Sequence, residues 1–458
     1  MFKWNENHVF NSTVGKKIGN WCSTSISTDT RNIKQGDLFI ALKGNHFDGH
    51  DFLHEAFAKG AVAAIVSKNN YYEYKNVPLF IVKDTLKALQ DMASYYIKKI
   101  LIDAKVIAVT GSVGKTTTKD MLKAVLSQHG VSHANTGNLN NNIGLPLTIL
   151  RAPKNCKYLI LEMGMSKSGE IKELSKISSP DIAVITNIEH VHTENFSSLL
   201  DIAQAKLEVL YGMKSNGTLV LNKDNKYYDY LSFNADKNIV SFGKHQDAMI
   251  CLLDLTRNNG RLHLKIKLSN NSIKSYNLHV QGEHFTYSAL AVAAVMKILK
   301  LNLSSNAFES FKVTEGRGNT YNIQYNNKHI CLINDSYNAS PASMKASIKM
   351  LGTYCNKRKV ALLGDMLELG SESIRLHTEL LNCIIEYKID KIYTVGKLML
   401  KLHKLLPNDI QGMHFDDFDQ LNNNLHKIIQ THDVILVKGS LKTKMHLVVK
   451  EILSMNVN

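Results

Sequence analysis

The sequence predicts an α/β protein of three domains, with a central P-loop mononucleotide-binding parallel sheet and a C-terminal Rossmann-like sheet. Three observations lead there. The stretch KVIAVTGSVGKTTTKDMLKAVLSQHG at 105–130 passes from a β-branched run through a tight Gly, Ser and Lys cluster into a helical pattern. That reads as strand, phosphate loop and helix. Downstream, short apolar runs alternate with helical segments and end in polar residues: YLILEMG (158–164), IAVITNIEHVH (182–192) and TLVLNKD (218–224). Such alternation argues for a mainly parallel sheet, whose ligands lie beyond the carboxyl ends of the strands. A second series begins after about residue 312, with ICLIND (330–335), KVALLGDM (359–366), KIYTVG (391–396) and DVILVKGS (433–440).

The chain has 458 residues, which at roughly 150 per domain suits three. The divisions expected are 1–98, 99–312 and 313–458. In the first, DLFIAL (37–42) and AAIVS (63–67) read as strands, with FLHEAFAKGA (52–61) as the helix between them. TLKALQDMASYYIKKI (85–100) reads as a helix leading into the phosphate-loop strand. RLHLKIKL (261–268) alternates without a break, the mark of a half-solvated antiparallel strand.

Composition excludes several classes. The apolar run ALAVAAVM (289–296) is far short of the ~20 residues that span a bilayer, and MFKWNENHVFNS does not read as a signal peptide. No membrane insertion is expected. The six cysteines are scattered without a C-x-x-C pair, which points to a reducing compartment, the cytoplasm, and to no structural zinc. The net charge of +15 comes from lysines spread along the whole chain. Without a dense basic block it reads as compositional bias rather than a nucleic-acid surface, and it suits polyanionic small substrates.

The phosphate loop carries the most specific chemistry. Backbone N–H groups around Gly111, Ser112, Val113 and Gly114 would wrap phosphates at a helix N-terminus. Lys115 would reach the outer phosphates and the Thr116 hydroxyl would hold Mg²⁺. The strict G-x-x-x-x-G-K-[ST] pattern fails, because Val109 stands at its first position. Glu162, at a strand end, is a carboxylate suited to Mg²⁺. His190 and His192 form an H-x-H pair with no cysteine nearby to make a zinc set. On pattern alone Lys206 is an exposed helical lysine. Asp335, in DSYNASP, would accept from a ribose or an amine, or would serve as a turn cap. LNKDN (221–225) places Asp224 one residue early for the guanine-reading N-K-x-D motif.

An ordered set of motifs resembles the Mur ligases of peptidoglycan synthesis over nearly the whole chain. The set comprises STDTRNIKQGDLFIALKGNHFDGHDF (27–52), TGSVGKTTTK (110–119), TGNLNNNIGLPLT (136–148), LEMGM (161–165), ITNIEHVHTENF (185–196), AQAKLE (203–208), NDSYNASPASM (334–344), LLGDMLELG (362–370) and VKGS (437–440). The resemblance implies that ATP phosphorylates the carboxylate of a UDP-N-acetylmuramoyl-tripeptide. The amine of D-alanyl-D-alanine then attacks the acyl phosphate. Two Mg²⁺ ions are implied, the first on Thr116 and Glu162, the second on His192 and a carbamylated Lys206. Lys115, His192, Lys206 and Arg317 would be catalytic. Thr117, Asn138, Asn141, His284, Arg317 and Asp335 would complete the ATP site with the loop, and Asn338 would help place the dipeptide. Thr30, Arg31, Asn45, His46 and Phe47 would meet the uridine diphosphate, and a monomer is expected.

Two positions depart from that family. GEHFTYSALA (282–291) has Phe285 and Ser288 where relatives carry Asn, which leaves adenine to Phe285, by stacking, or to His284. Leu441 stands where relatives tend to carry Arg. Rival readings are another amide ligase of this build, including a folylpolyglutamate synthase-like enzyme, a phosphate-loop switch protein, and a basic nucleic-acid-binding ATPase. Because ATP contacts divide between the second and third domains, a closure step is expected.

Overall fold

The structure, a computed structural model, describes residues 2–67, 77–191, 193–258, 261–268, 272–325 and 328–454. Among these residues, sheets of five, nine and six strands follow one another along the chain, with a two-stranded ribbon near the start. The strands that read as unbroken apolar runs are buried on both faces: all of Ile182–Ile185 and all of Val434–Lys438 are covered, as parallel strands between helices must be.

The first sheet runs Gly15–Ile18, Leu79–Val82, Ala63–Val66, Asp37–Ile40, Ser25–Ser27, parallel except for its antiparallel first edge. It leads into the helix Thr85–Lys99, whose N-cap Asp84 accepts from the N–H groups of Leu86 and Lys87 at 2.8 and 3.0 Å. Ala88, Leu89, Met92, Ala93, Tyr96 and Ile97 form its buried stripe, the spacing of an amphipathic helix. Tyr96 donates its hydroxyl to the Ala152 carbonyl at 2.8 Å. One hydrophobic core therefore passes from Leu38, Ile65 and Phe80 of the first sheet, through this helix, to Leu145, Leu161 and Ile185 of the second.

In the second sheet the phosphate-loop strand Lys105–Thr110 lies between Tyr158–Glu162 and Ile182–Ile185, parallel to both. The chain moves outward to Ser132–Ala134 on one side and later to Thr218–Asn222 and Asn238–Gly243 on the other. The order reverses at the phosphate-loop strand, where a crevice opens beyond the strand ends. Arg261–Lys267 pairs antiparallel with both Ile250–Asn258 and Ile273–Leu278. Its Leu262, Leu264 and Ile266 face inward, as the alternation predicted. The helix Phe285–Ile298 covers the far face of this sheet.

The third sheet runs Asn319–Tyr325, Lys328–Asn334, Val434–Lys438, Lys359–Gly364, Lys391–Val395, Gln411–Phe415, antiparallel only at its first pair. Its two faces have their own hydrophobic clusters. No helix among the described residues is long and apolar enough to cross a membrane.

Candidate active site

Gly111 has φ 141° and Gly114 φ 82°, backbone angles that suit glycine. A Cβ on Gly111 would lie 2.1 Å from Thr186 Oγ1. The neighbouring strand end braces the loop from behind. Ser112 N–H donates to the Asn187 carbonyl at 2.8 Å, and Ser112 Oγ exchanges bonds with the Glu189 backbone at 2.9 and 3.0 Å. Thr186 Oγ1 donates to the Val113 carbonyl at 2.6 Å. Lys115 folds over the loop, donating to the Gly111 and Ser112 carbonyls at 2.8 and 3.1 Å. Burial holds its ammonium below the ordinary lysine value, while Glu162 draws it up and Arg317 pushes it down.

Glu162 ends its strand at 3 % exposure. Asn135 brackets its backbone, accepting from Glu162 N–H at 2.6 Å and donating to the Glu162 carbonyl at 3.3 Å. Asn140 Nδ2 donates to Glu162 Oε1 at 2.8 Å. The other carboxylate oxygen, Oε2, is buried with no hydrogen-bond partner. A buried, unpaired carboxylate oxygen is costly unless something cationic meets it, so this donor set fits Mg²⁺. Thr116 and Glu162 line the same cavity. No three His, Cys, Asp or Glu among the described residues form a metal cluster. His192 lies outside the described residues.

Lys206 is not the exposed lysine of the bare pattern. It sits at 1 % exposure on the helix Leu199–Leu207, which starts with a Ser198–Asp201 capping box. Burial drives its pKa well below the ordinary value, Lys115 adds to that, and Glu208, Glu170 and Glu162 oppose it. A buried lysine of this kind holds a neutral, nucleophilic amine more readily.

A cleft of about 1210 Å³ joins the second and third domains, lined by the phosphate loop and Thr117 on one side and by Arg317, Asp335 and Asn338 on the other. Arg317 lays its guanidinium 4.3 Å from the centre of the Tyr337 ring, with its Nε buried and unpartnered. Asp335 is not a free acceptor: the buried Lys438 donates to its Oδ2 at 2.7 Å, and Ser347 donates to the same oxygen. Lys438 also holds the Asn338 carbonyl at 3.1 Å, which couples the nucleotide and dipeptide candidates.

The other expected residues take the following places, and one expectation, the stacking of Phe285 on the base, is corrected. Phe285 is 1 % exposed against Phe311, so it stacks on protein and not on a base. His284 is the exposed ring of the pair and faces the cleft, 4.3 Å from Phe285. Ser288 accepts from Thr118 Oγ1 at 3.0 Å. Asn141 lines the cleft with Asn138, but its Oδ1 accepts from Ile143 and Gly144 N–H at 3.2 and 2.8 Å. It closes the turn into the helix Gly144–Leu150, while its neighbour Asn140 reaches Glu162. In the N-terminal domain Thr30 is buried and its hydroxyl serves Glu55. Arg31 is exposed and forked onto Asp29 at 2.8 to 3.2 Å. Asn45, His46 and Phe47 form the exposed tip of a hairpin closed by Gly44 N–H to the Phe47 carbonyl at 2.8 Å.

Sequence reasoning missed Asn135, Asn140, Thr186 and Lys438. The signal for the last was present, since Lys438 ends an apolar run at a strand tip. The three asparagines 140–142 are alike in type, and only the turn decides which one faces the carboxylate.

A phosphate loop at a switch point, a metal-ready carboxylate and a nucleotide cleft shared with a second α/β domain define an ATP-using ligase of three-domain build. Family models match in order: "Mur ligase family, catalytic domain" over 23–97, "Mur ligase middle domain" over 109–296 and "Mur ligase, glutamate ligase domain" over 321–441. The chain is 36 % identical to the UDP-N-acetylmuramoyl-tripeptide--D-alanyl-D-alanine ligase of Rickettsia prowazekii, covering 97 % of this chain and 99 % of that one. It is 35 % identical to the protein of that name from Bacillus subtilis, over 93 % of each. Among solved structures, MurF from Acinetobacter baumannii superposes with a TM-score of 0.89 at 29 % identity, covering 99 % of both chains. MurF from Thermotoga maritima in complex with ADP superposes at 0.83 and 28 %, over 94 % of this chain and 97 % of that one. The chain belongs to the Mur ligase family.

Proposed function

We propose that this protein joins D-alanyl-D-alanine to UDP-N-acetylmuramoyl-tripeptide, consuming ATP, in the synthesis of peptidoglycan precursors. The observation that carries the reading is the Glu162 carboxylate, buried with one oxygen unpaired, on the cleft that the phosphate loop shares with Arg317. A carboxylate is a poor electrophile, and phosphorylation gives it a leaving group. Lys115 and Arg317, both on the cleft, would meet the charge that gathers on the transferring phosphoryl group. The amine of the dipeptide then attacks the acyl carbon, and the tetrahedral adduct collapses to an amide and phosphate. Asn338, tied to Lys438, helps hold the dipeptide, and His284 offers a ring to the base. The units 1–98, 99–312 and 313–458 divide this work, with Arg31, Asn45, His46 and Phe47 meeting the uridine diphosphate.

Thr116 and Glu162 would hold one Mg²⁺, and His192 with Lys206 a second. Bound there, Mg²⁺ would offset the negative charge of the phosphates. The depressed pKa of Lys206 favours the neutral amine that adds to CO₂, which supports the carbamylation of Lys206 in this reading. Lys206→Ala should lose most activity and partly regain it with added short carboxylic acids; absence of rescue would count against carbamylation. The enzyme works in the cytoplasm as a monomer. Its six cysteines are all free.

The decisive experiment is phosphate release from ATP and Mg²⁺, with the UDP-linked tripeptide and D-alanyl-D-alanine added singly and together. Release that requires both, with a pentapeptide product by mass, is expected. Release indifferent to both would overturn the reading.

A further inference from the structure

We infer that Asn140 and Gly164 form a positioning pair that aims the free oxygen of Glu162 at the metal; the inference rests on the metal role proposed above for Glu162. Glu162 alone would have a freely turning carboxylate at the end of its strand. Asn140 removes that freedom. Its Nδ2 holds Oε1 at 2.8 Å, and this leaves Oε2 as the buried oxygen without a partner.

Asn140 is itself fixed from the same strand end. Gly164 N–H donates to the Asn140 carbonyl at 2.9 Å, and Asn140 N–H donates to the Asn138 carbonyl at 2.7 Å. The side chain of Asn140 lies across the bare Cα of Gly164. A Cβ there would come 2.9 Å from Oδ1, 3.0 Å from Cγ and 3.1 Å from Nδ2 of Asn140, its three nearest contacts. Gly164 is not among the positive-φ glycines, so its backbone does not call for glycine. The space that glycine leaves open is the space that the Asn140 side chain occupies. In LEMGM, Glu162 supplies the ligand and Gly164 supplies room for the residue that orients it. Such outer partners commonly change metal affinity 10- to 100-fold when removed.

The pair predicts a metal phenotype from two substitutions that leave Glu162 in place. The full-length protein is titrated with Mn²⁺ in the presence of ADP, and bound ion is read by electron paramagnetic resonance. Asn140→Ala and Gly164→Ala should each weaken Mn²⁺ binding by about tenfold, while ADP binding without metal changes little. Glu162→Gln should weaken it at least as much. Asn140→Ala added to Glu162→Gln should have little further effect, because the asparagine acts through the carboxylate. If Glu162→Gln weakens Mn²⁺ binding and the other two variants bind like the unaltered protein, the positioning role is overturned. If Asn140→Ala weakens binding equally with and without Glu162→Gln, the role is also overturned, since the effect does not pass through Glu162. If Glu162→Gln itself binds Mn²⁺ normally, the metal role of Glu162 fails first and the inference with it. Should Asn140→Ala not fold, Gly164→Ala tests the same displacement from the other side.

Discussion

His377 uses both ring nitrogens in one neutral form. Nδ1 donates to the Ser373 carbonyl at 2.6 Å, and Nε2 accepts from Met366 N–H at 2.9 Å. A second proton would point at that N–H group. Burial holds its pKa below the ordinary histidine value, against the Ser373 carbonyl and Asp365, which raise it. The unfolded chain therefore takes up this proton near pH ~6.5, and the folded chain only at lower pH. Stability is intact above that range and is lost as pH falls through the folded pKa, by up to about 1.4 kcal/mol per pH unit. His377→Gln keeps an acceptor for Met366 without titrating. Melting curves from about pH 7 to pH 5 should show a shallower acid limb in this variant. Phe285 makes a second case at this scale. Phe285→Asn, which installs the residue type that the family resemblance implies at this position, should cost about 3 kcal/mol in thermal melts. It should not improve the KM for ATP, since the side chain points into the core.

Among the elements, legibility followed burial. Tyr158–Glu162, Ile182–Ile185 and Val434–Lys438 lie between layers, and their apolar runs could hardly be read otherwise. Gly15–Ile18 and Gln411–Phe415 are edge strands, and their residues GKKI and QGMHF carry no period that marks them. The same contrast holds for the site. Gly111 to Thr116 form a local motif, fixed by the order of residues along one loop. Glu162 was legible as a strand-end carboxylate. Its partners Asn135 and Asn140 come from a separate turn, and only three-dimensional placement selects them. Lys206 was readable only through family resemblance, because a helix pattern cannot reveal that its outer face is covered by another element. Phe285 shows the reverse: sequence placed it beside the nucleotide, and the helix phase turned it away.

Over the whole molecule, the cleft belongs to two bodies with separate cores. Few tethers cross between them. Glu283 pairs with Lys349 at 2.8 Å, Thr314 donates to Asp120 at 2.5 Å, and Tyr354 donates to Gln281. Contacts of this size favour relative movement. Solution scattering should report a smaller radius of gyration when an ATP analogue and the UDP-linked tripeptide are both present; an unchanged profile would argue against closure.

The helix Thr85–Lys99 gives the first two domains a different relationship. Its buried stripe belongs to a core that also needs Leu145, Leu161 and Ile185. A nascent chain that has emerged only to Lys99 can form its first sheet, yet the part of this stripe that packs on Leu145, Leu161 and Ile185 stays uncovered until the second sheet arrives. This opening segment is thus exposed to chaperones and to sticking during synthesis, whereas the last third carries both of its own cores and can fold as it emerges.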